Sequence, residues 1–128
     1  MPRHAIIEAP GSPAAVGPYS KAVRSGNLLY LSGQTPIDPA TGKLVEGDIA
    51  RQTQQVFKNL EAVLKGAGCT FDNVLKANVY LTDMADFAAM NGVYSGIFQA
   101  PYPARTTVAV AALPLGCKVE IEVVAEIG

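Results

Sequence analysis

Along residues 48–65 the apolar positions Ile49, Val56, Phe57, Leu60, Val63 and Leu64 recur at three- and four-residue spacing, with Arg51, Gln52, Gln55, Lys58 and Glu61 polar between them. That period predicts an amphipathic helix with Asp48 as its N-cap and Gly66 or Gly68 as its stop. A second helical period runs over residues 84–98: Phe87, Met90, Tyr94, Ile97 and Phe98 make the inner stripe, and Thr82 or Asp83 caps the start. Gly92 and Gly96 each cost that helix roughly 1 kcal/mol relative to alanine, so close packing against them is expected to compensate.

Elsewhere the period is two. Residues 4–8 form a candidate edge strand, residues 22–24 and 28–32 a hairpin about the turn Ser25-Gly26-Asn27, and residues 73–81 a further strand. The last two runs are Pro103-Ala-Arg-Thr-Thr-Val-Ala-Val and, about a dozen residues on, Lys118-Val-Glu-Ile-Glu-Val-Val. Residues 11–18 and 33–42 are dense in turn formers and read as loops. The order β-β-β-α-β-α-β-β predicts an α+β domain. Since successive strand side chains alternate faces, one face collects Leu29, Leu31, Leu75, Ala77, Val79, Leu81, Val108, Val110, Val119, Ile121 and Val123, and must lie under the helices. The other collects Tyr30, Ser32, Lys76, Asn78, Tyr80, Arg105, Thr107, Ala109, Glu120 and Glu122, a wet face suited to a subunit contact with room for a ligand.

With 128 residues the chain has room for a single hydrophobic core and not two. Its 49% apolar content and mean hydropathy of +0.21 are high for so small a domain, which predicts a homo-oligomer. Ten basic against eleven acidic residues, with no cationic run, argue against a nucleic-acid partner. No apolar run approaches the about 18 residues that span a bilayer, and the opening Met-Pro-Arg-His lacks a signal peptide's apolar core. A cytoplasmic protein is expected. Cys69 and Cys117 lie outside any C-x-x-C and read as unbridged packing residues. One histidine, His4, leaves almost nothing from which to build a zinc site or a His-based triad.

In a chain with only 16% charged residues, Arg105 and Glu120 stand out inside strands. A guanidinium grips a carboxylate with two parallel hydrogen bonds, and a carboxylate can hold and polarise a water, so the pair suits hydrolysis of a small anion. An intersubunit salt bridge is the competing reading. Pro101 and Pro103 would fix the strand entrance of Arg105. Tyr19 reads equally as a packing residue or an aromatic lid; Ser32 and Gly33 as turn residues or as a close backbone approach to a ligand; Asn91 as a loop cap or a pocket residue.

Gly17-Pro-Tyr-Ser-Lys-Ala, Leu31-Ser-Gly-Gln, Val79-Tyr-Leu-Thr-Asp with Phe87 and Asn91, Pro103-Ala-Arg, and Leu113-Pro through Val119-Glu-Ile-Glu together resemble the Rid family. These are the YjgF-like reactive intermediate deaminases, and the RidA subgroup is the nearest. The resemblance runs over nearly the whole chain. It implies a chorismate-mutase-like α+β fold, a homotrimer packed sheet against sheet, and three pockets at the subunit boundaries. It implies that Arg105 binds the substrate carboxylate, that Glu120 positions the attacking water, and that Tyr19, Ser32, Gly33, Phe87, Asn91 and Thr107 line the pocket. Many bacterial members carry Ser-Cys where this chain has Thr106-Thr107, so position 107 here offers backbone groups and no thiol. The implied reaction is hydrolysis of 2-aminoacrylate and 2-iminobutyrate to 2-keto acids and ammonia, with neither cofactor nor metal. A non-catalytic trimeric module that senses 2-keto acids or amino acids is the alternative. A ribonuclease or chaperone has weaker support, since neither a basic groove nor a second histidine is present.

Overall fold

The structure, a computed structural model, describes residues 3–6 and 8–128. Helix α1 (Ile49–Gly66) begins where the Asp48 backbone is extended and its Oδ1 accepts the Arg51 amide at 3.0 Å, which satisfies a donor that a helix start leaves unpaired. It ends as the amides of Ala67 and Gly68 turn back to the Leu64 and Lys65 carbonyls, with Gly68 in the left-handed region at φ 76°. Helix α2 (Phe87–Ile97) is entered through a 3-10 turn, Met84–Asp86, whose start is capped by Asp83 accepting the Ala85 amide at 2.9 Å. A Cβ on Gly92 or Gly96 would meet nothing within 4 Å. The expected close packing is therefore absent; both glycines sit on the exposed side of α2, away from the sheet.

In chain order the strands are β1 (His4–Ile6), β2 (Ala22–Ser25), β3 (Leu28–Leu31), β4 (Ile37–Asp38), β5 (Lys43–Leu44), β6 (Val74–Leu81), β7 (Ala104–Ala109) and β8 (Val119–Glu126). Of the first predicted strand, Ile7 lies outside the described residues and Glu8 outside β1. Strands β4 and β5 pair as a small hairpin inside a segment predicted as loop, too short to show a period. The other six form one sheet in the order β1-β2-β3-β8-β6-β7, antiparallel throughout except where β6 runs parallel to β7. Helix α2 connects that parallel pair, as a crossover must.

Both helices cover one face. Leu29, Leu31, Ala77, Val79, Leu81, Val119, Ile121 and Val123 are buried there against Val56, Phe57, Leu60, Val63, Met90 and Tyr94. Phe57 packs edge-on against Phe71, Tyr94 and Phe98 with ring centres 5.8 Å apart in each case. Cys69 and Cys117 are buried and unbridged, in line with their reading as packing residues.

Three predicted facings fail for physical reasons. Leu75 is 46% exposed because the β6–β8 register shifts between Val74 and Lys76, and this bulge hands the core position to Val74. Strand β7 is turned over as a whole: Ala77 pairs with Arg105, Val79 with Thr107 and Leu81 with Ala109, so these three β7 residues face the helices. Val108 is left on the outer face, 41% exposed, and Val110 lies beyond the strand. Gln52, expected on the outer side of α1, is buried along with Thr53 and Asn59. The outer sheet face therefore carries Tyr30, Lys76, Asn78, Tyr80, Thr106, Val108, Glu120, Glu122 and Val124.

Candidate active site

Strand β8 places Glu120 and Glu122 side by side on the outer face, opposite Tyr80 and Asn78 of β6. The Glu122 carboxylate accepts from the Tyr80 hydroxyl in a short hydrogen bond and from Asn78 Nδ2 at 3.3 Å. That bond, with burial and the two carboxylates, pushes the Tyr80 hydroxyl up to about 12. Burial first, and the charge of Glu122 second, raise the Glu120 carboxyl above its ordinary range. Ser32 is pinned by its amide to the Lys21 carbonyl at 3.0 Å and by its hydroxyl to the Ser20 carbonyl at 2.7 Å. The next residue, Gly33, is where a side chain cannot be: a Cβ would stand 2.3 Å from Glu120 Oε2. Tyr19, Lys21, Ser32, Gly33, Glu120 and Glu122 line a cavity of about 770 Å³ whose far wall is apolar, with Val16, Ile37, Pro114 and Leu115.

Arg105 lies on the other side of the sheet. Its Nη1 donates to Asn91 Oδ1 at 2.6 Å, and its guanidinium carbon sits 4.6 Å from the Tyr94 ring centre and 5.5 Å from that of Phe87. These α2 side chains hold the fork in one plane, on the wall of a cavity of about 490 Å³ shared with Asn91, Tyr94, Ser95, Tyr102 and Pro103. Thr107, two residues on, turns the same way. The hydroxyls of Thr107 and Tyr94 are buried without a hydrogen-bond partner in the chain. Among the described residues no group of three His, Cys, Asp or Glu side chains is placed to hold a metal ion.

The eight predicted site residues thus fall into two groups. Tyr19, Ser32, Gly33 and Glu120 meet in one cavity, whereas Phe87, Asn91, Arg105 and Thr107 gather on the opposite side of the sheet. Within one chain, Arg105 and Glu120 do not share a pocket. Both groups lie inside residues 9–127, which match the sequence profile of the family described as Endoribonuclease L-PSP.

The chain belongs to this family, the Rid or YjgF-like proteins.

It is 48% identical over 120 residues to the 2-iminobutanoate/2-iminopropanoate deaminase of Mus musculus, covering 94% of this chain and 89% of that one. The crystal structure of RidA from an Antarctic Psychrobacter superposes with a TM-score of 0.92 at 48% identity, over 97% of this chain and 100% of the other. E. coli TdcF with bound serine gives 0.92 at 38% identity, over 98% and 100%. The mixed sheet with two helices on one face is accordingly the α+β fold of the Rid proteins. Tyr94 is buried in the core stripe where the sequence placed it, and it also lines the Arg105 cavity, a second placement that sequence reasoning about this Rid chain did not foresee. The signal was there, since Asn91 and Tyr94 stand three apart on a helix and so share a face. The bond from Tyr80 to Glu122 needed the β6–β8 register, which no spacing reveals.

Proposed function

We propose that this Rid chain deaminates reactive enamines and imines of the 2-aminoacrylate and 2-iminobutyrate type, using Arg105 and Glu120 from two neighbouring copies in a homotrimer. The deaminase activity agrees with relatives of near-equal length named for it. The observation that carries the site reading is the split itself: a carboxylate grip and a water-holding carboxylate, each incomplete, on opposite sides of one sheet. The outer face leaves Tyr30 48% and Val108 41% exposed, an apolar surface that a second copy of the sheet would cover.

An enamine first tautomerises to its imine. Arg105 then grips the carboxylate with the edge of the guanidinium not used by Asn91, which orients C2 of the imine. Water adds its oxygen to C2 while Glu120 takes its proton, and the imine nitrogen is protonated. Glu120 then gives that proton to the carbinolamine nitrogen; as the hydroxyl proton passes to solvent the C–N bond breaks, and ammonia and a 2-keto acid leave. Tyr19 and Ser32 border this water, and Gly33 leaves space for the carboxylate. Two unbridged thiols support a cytoplasmic setting.

Arg105→Lys tests the grip. It keeps the charge and loses the fork, so most turnover of freshly generated 2-iminobutyrate should vanish while fold and assembly persist. Turnover near wild type would refute the assignment.

A further inference from the structure

Helix α1 buries three polar side chains, and two of them reach beyond their own helix. Thr53 only returns a hydrogen bond to the Ile49 carbonyl at 2.7 Å. Gln52 spans from the Val45 carbonyl, at 3.3 Å, to the Lys118 amide, at 2.9 Å, just before β8. Asn59, fully buried, donates from Nδ2 to the Thr35 carbonyl at 3.0 Å and to the Ile37 carbonyl at 2.9 Å, and its Oδ1 accepts from Gln55 Nε2 at 2.9 Å. Thr35 lies two residues past Gly33. Between them, Gln34 pairs in both directions with Ile121, the neighbour of Glu120, at 2.9 and 3.2 Å. Residues 33–35 are therefore held from beneath by α1 and from the side by β8.

This segment is dense in turn formers and has many backbone conformations open to it. Two hydrogen bonds from a rigid helix select one, the one that brings Gly33 against the Glu120 carboxylate. We propose that Asn59 is a positioning residue: by clamping the Thr35 and Ile37 carbonyls it fixes Gly33 against Glu120 and so sets where the attacking water stands. The inference rests on the reading of Glu120 as the base. The charged and titratable groups around Glu120 are Glu122 on its own strand, Cys117 just before that strand, Tyr80 on β6, and Tyr19 and Lys21 from the segment before β2. Asn59 bonds to none of them, so replacing it leaves those charges in place.

The test is steady-state kinetics of Asn59→Ala on freshly generated 2-iminobutyrate across pH, with sedimentation to confirm assembly. Loosening the clamp should lower kcat by about tenfold to ~100-fold, the scale of a roughly 1 Å misplacement. KM should stay near wild type, because the carboxylate grip is on another strand. Looser contact also admits water to Glu120, so the acid limb of the kcat profile should move to lower pH. Thr53→Val removes a hydrogen bond of equal burial on the same helix without touching the segment, and should change neither kcat nor the limb. Where Asn59→Ala fails to assemble, Gln55→Met decides: it frees the Asn59 amide while leaving it in place, and should give both kinetic changes at smaller size. A kcat and an acid limb matching those of Thr53→Val would overturn the proposal. Glu120→Gln, measured alongside, separates the two readings: wild-type turnover there overturns the site reading and this proposal with it. A slow Glu120→Gln beside unchanged Asn59 and Gln55 variants overturns only the positioning role.

Discussion

Gly33→Ala adds one methyl group at the closest contact of the proposed water site. Gly33 is outside the left-handed region, so alanine brings no backbone strain. The new Cβ would lie 2.3 Å from Glu120 Oε2, 3.0 Å from Cδ and 3.1 Å from Cγ, where ordinary contact begins at 3.4 Å. The carboxylate must retreat by about 1 Å. The obstructing atom is the tip of a flexible side chain, so Glu120 swings aside and the strands stay. Forcing that side chain off its rotamer costs about 0.5–1.5 kcal/mol, too little to unfold the domain. A displacement of about 1 Å at the base costs ~100-fold in rate, or about 2.7 kcal/mol of barrier. The assay follows imine disappearance above the spontaneous rate, with 2-keto acid binding by calorimetry and thermal unfolding as controls. Binding should stay within a few-fold of wild type and the melting temperature should move little. Turnover within about twofold of wild type would refute the claim that Glu120 acts from this position.

Glu120→Gln should bind 2-keto acids within a few-fold of wild type and hydrolyse imine at least ~100-fold more slowly, because an amide cannot take up the proton. With a 2-keto acid bound to neutralise Arg105, burial and Glu122 keep the wild-type Glu120 carboxyl raised, so the folded state favours its protonated form; ionisation then opposes folding, and the liganded variant should melt higher near neutral pH, a gain lost as pH falls below the ordinary carboxylate range. Val108→Lys, placed on the exposed outer face, should convert the oligomer to a 13.4 kDa species in sedimentation equilibrium, whereas an unchanged oligomer would remove that face from the interface. Since burial holds both cysteine thiols above their ordinary range, N-ethylmaleimide should leave the activity of the native protein intact, and rapid inactivation would contradict that burial.

How legible each part was depended on how many constraints acted on it. Helix α1 was readable because its period, its cap at Asp48 and its glycine stop all agree. The facing of β8 was equally plain, with Val119, Ile121 and Val123 alternating against Glu120 and Glu122. Strand β7 misled because it is an edge strand whose residues alternate polar and small on both sides, so local pattern does not fix its face. What turns it over is tertiary: the aromatic rings of α2 accept the Arg105 guanidinium where a valine was expected. Burial of Gln52 and Asn59 was hidden for a similar reason, since their partners are carbonyls and an amide 7 to 66 residues away. Residue types named the candidate residues, yet their division between two sides of the sheet depends on register alone.

Two carboxylates stand in the cavity, the proposed hydrolysis needs one base, and the surroundings of the two differ. Glu122 is tied down by the Tyr80 hydroxyl and by Asn78, so its lone pairs are directed into the sheet and its charge is fixed in place. Among the described residues Glu120 has no such partner; it is desolvated, faces the charge of Glu122, and abuts the bare Cα of Gly33. Its carboxyl is thereby lifted toward the pH at which a base both ionises and accepts protons effectively, the pattern in which neighbouring acids are separated by environment. A cation beside Glu120 would undo this by favouring the ionised form. Within one chain Arg105 lies across the sheet, stacked on Phe87 and Tyr94, and in a shared pocket a bound carboxylate would stand between the two and neutralise the cation. In the shared pocket proposed above, the arriving substrate would therefore strengthen Glu120 as a base, and an empty pocket would leave it weaker.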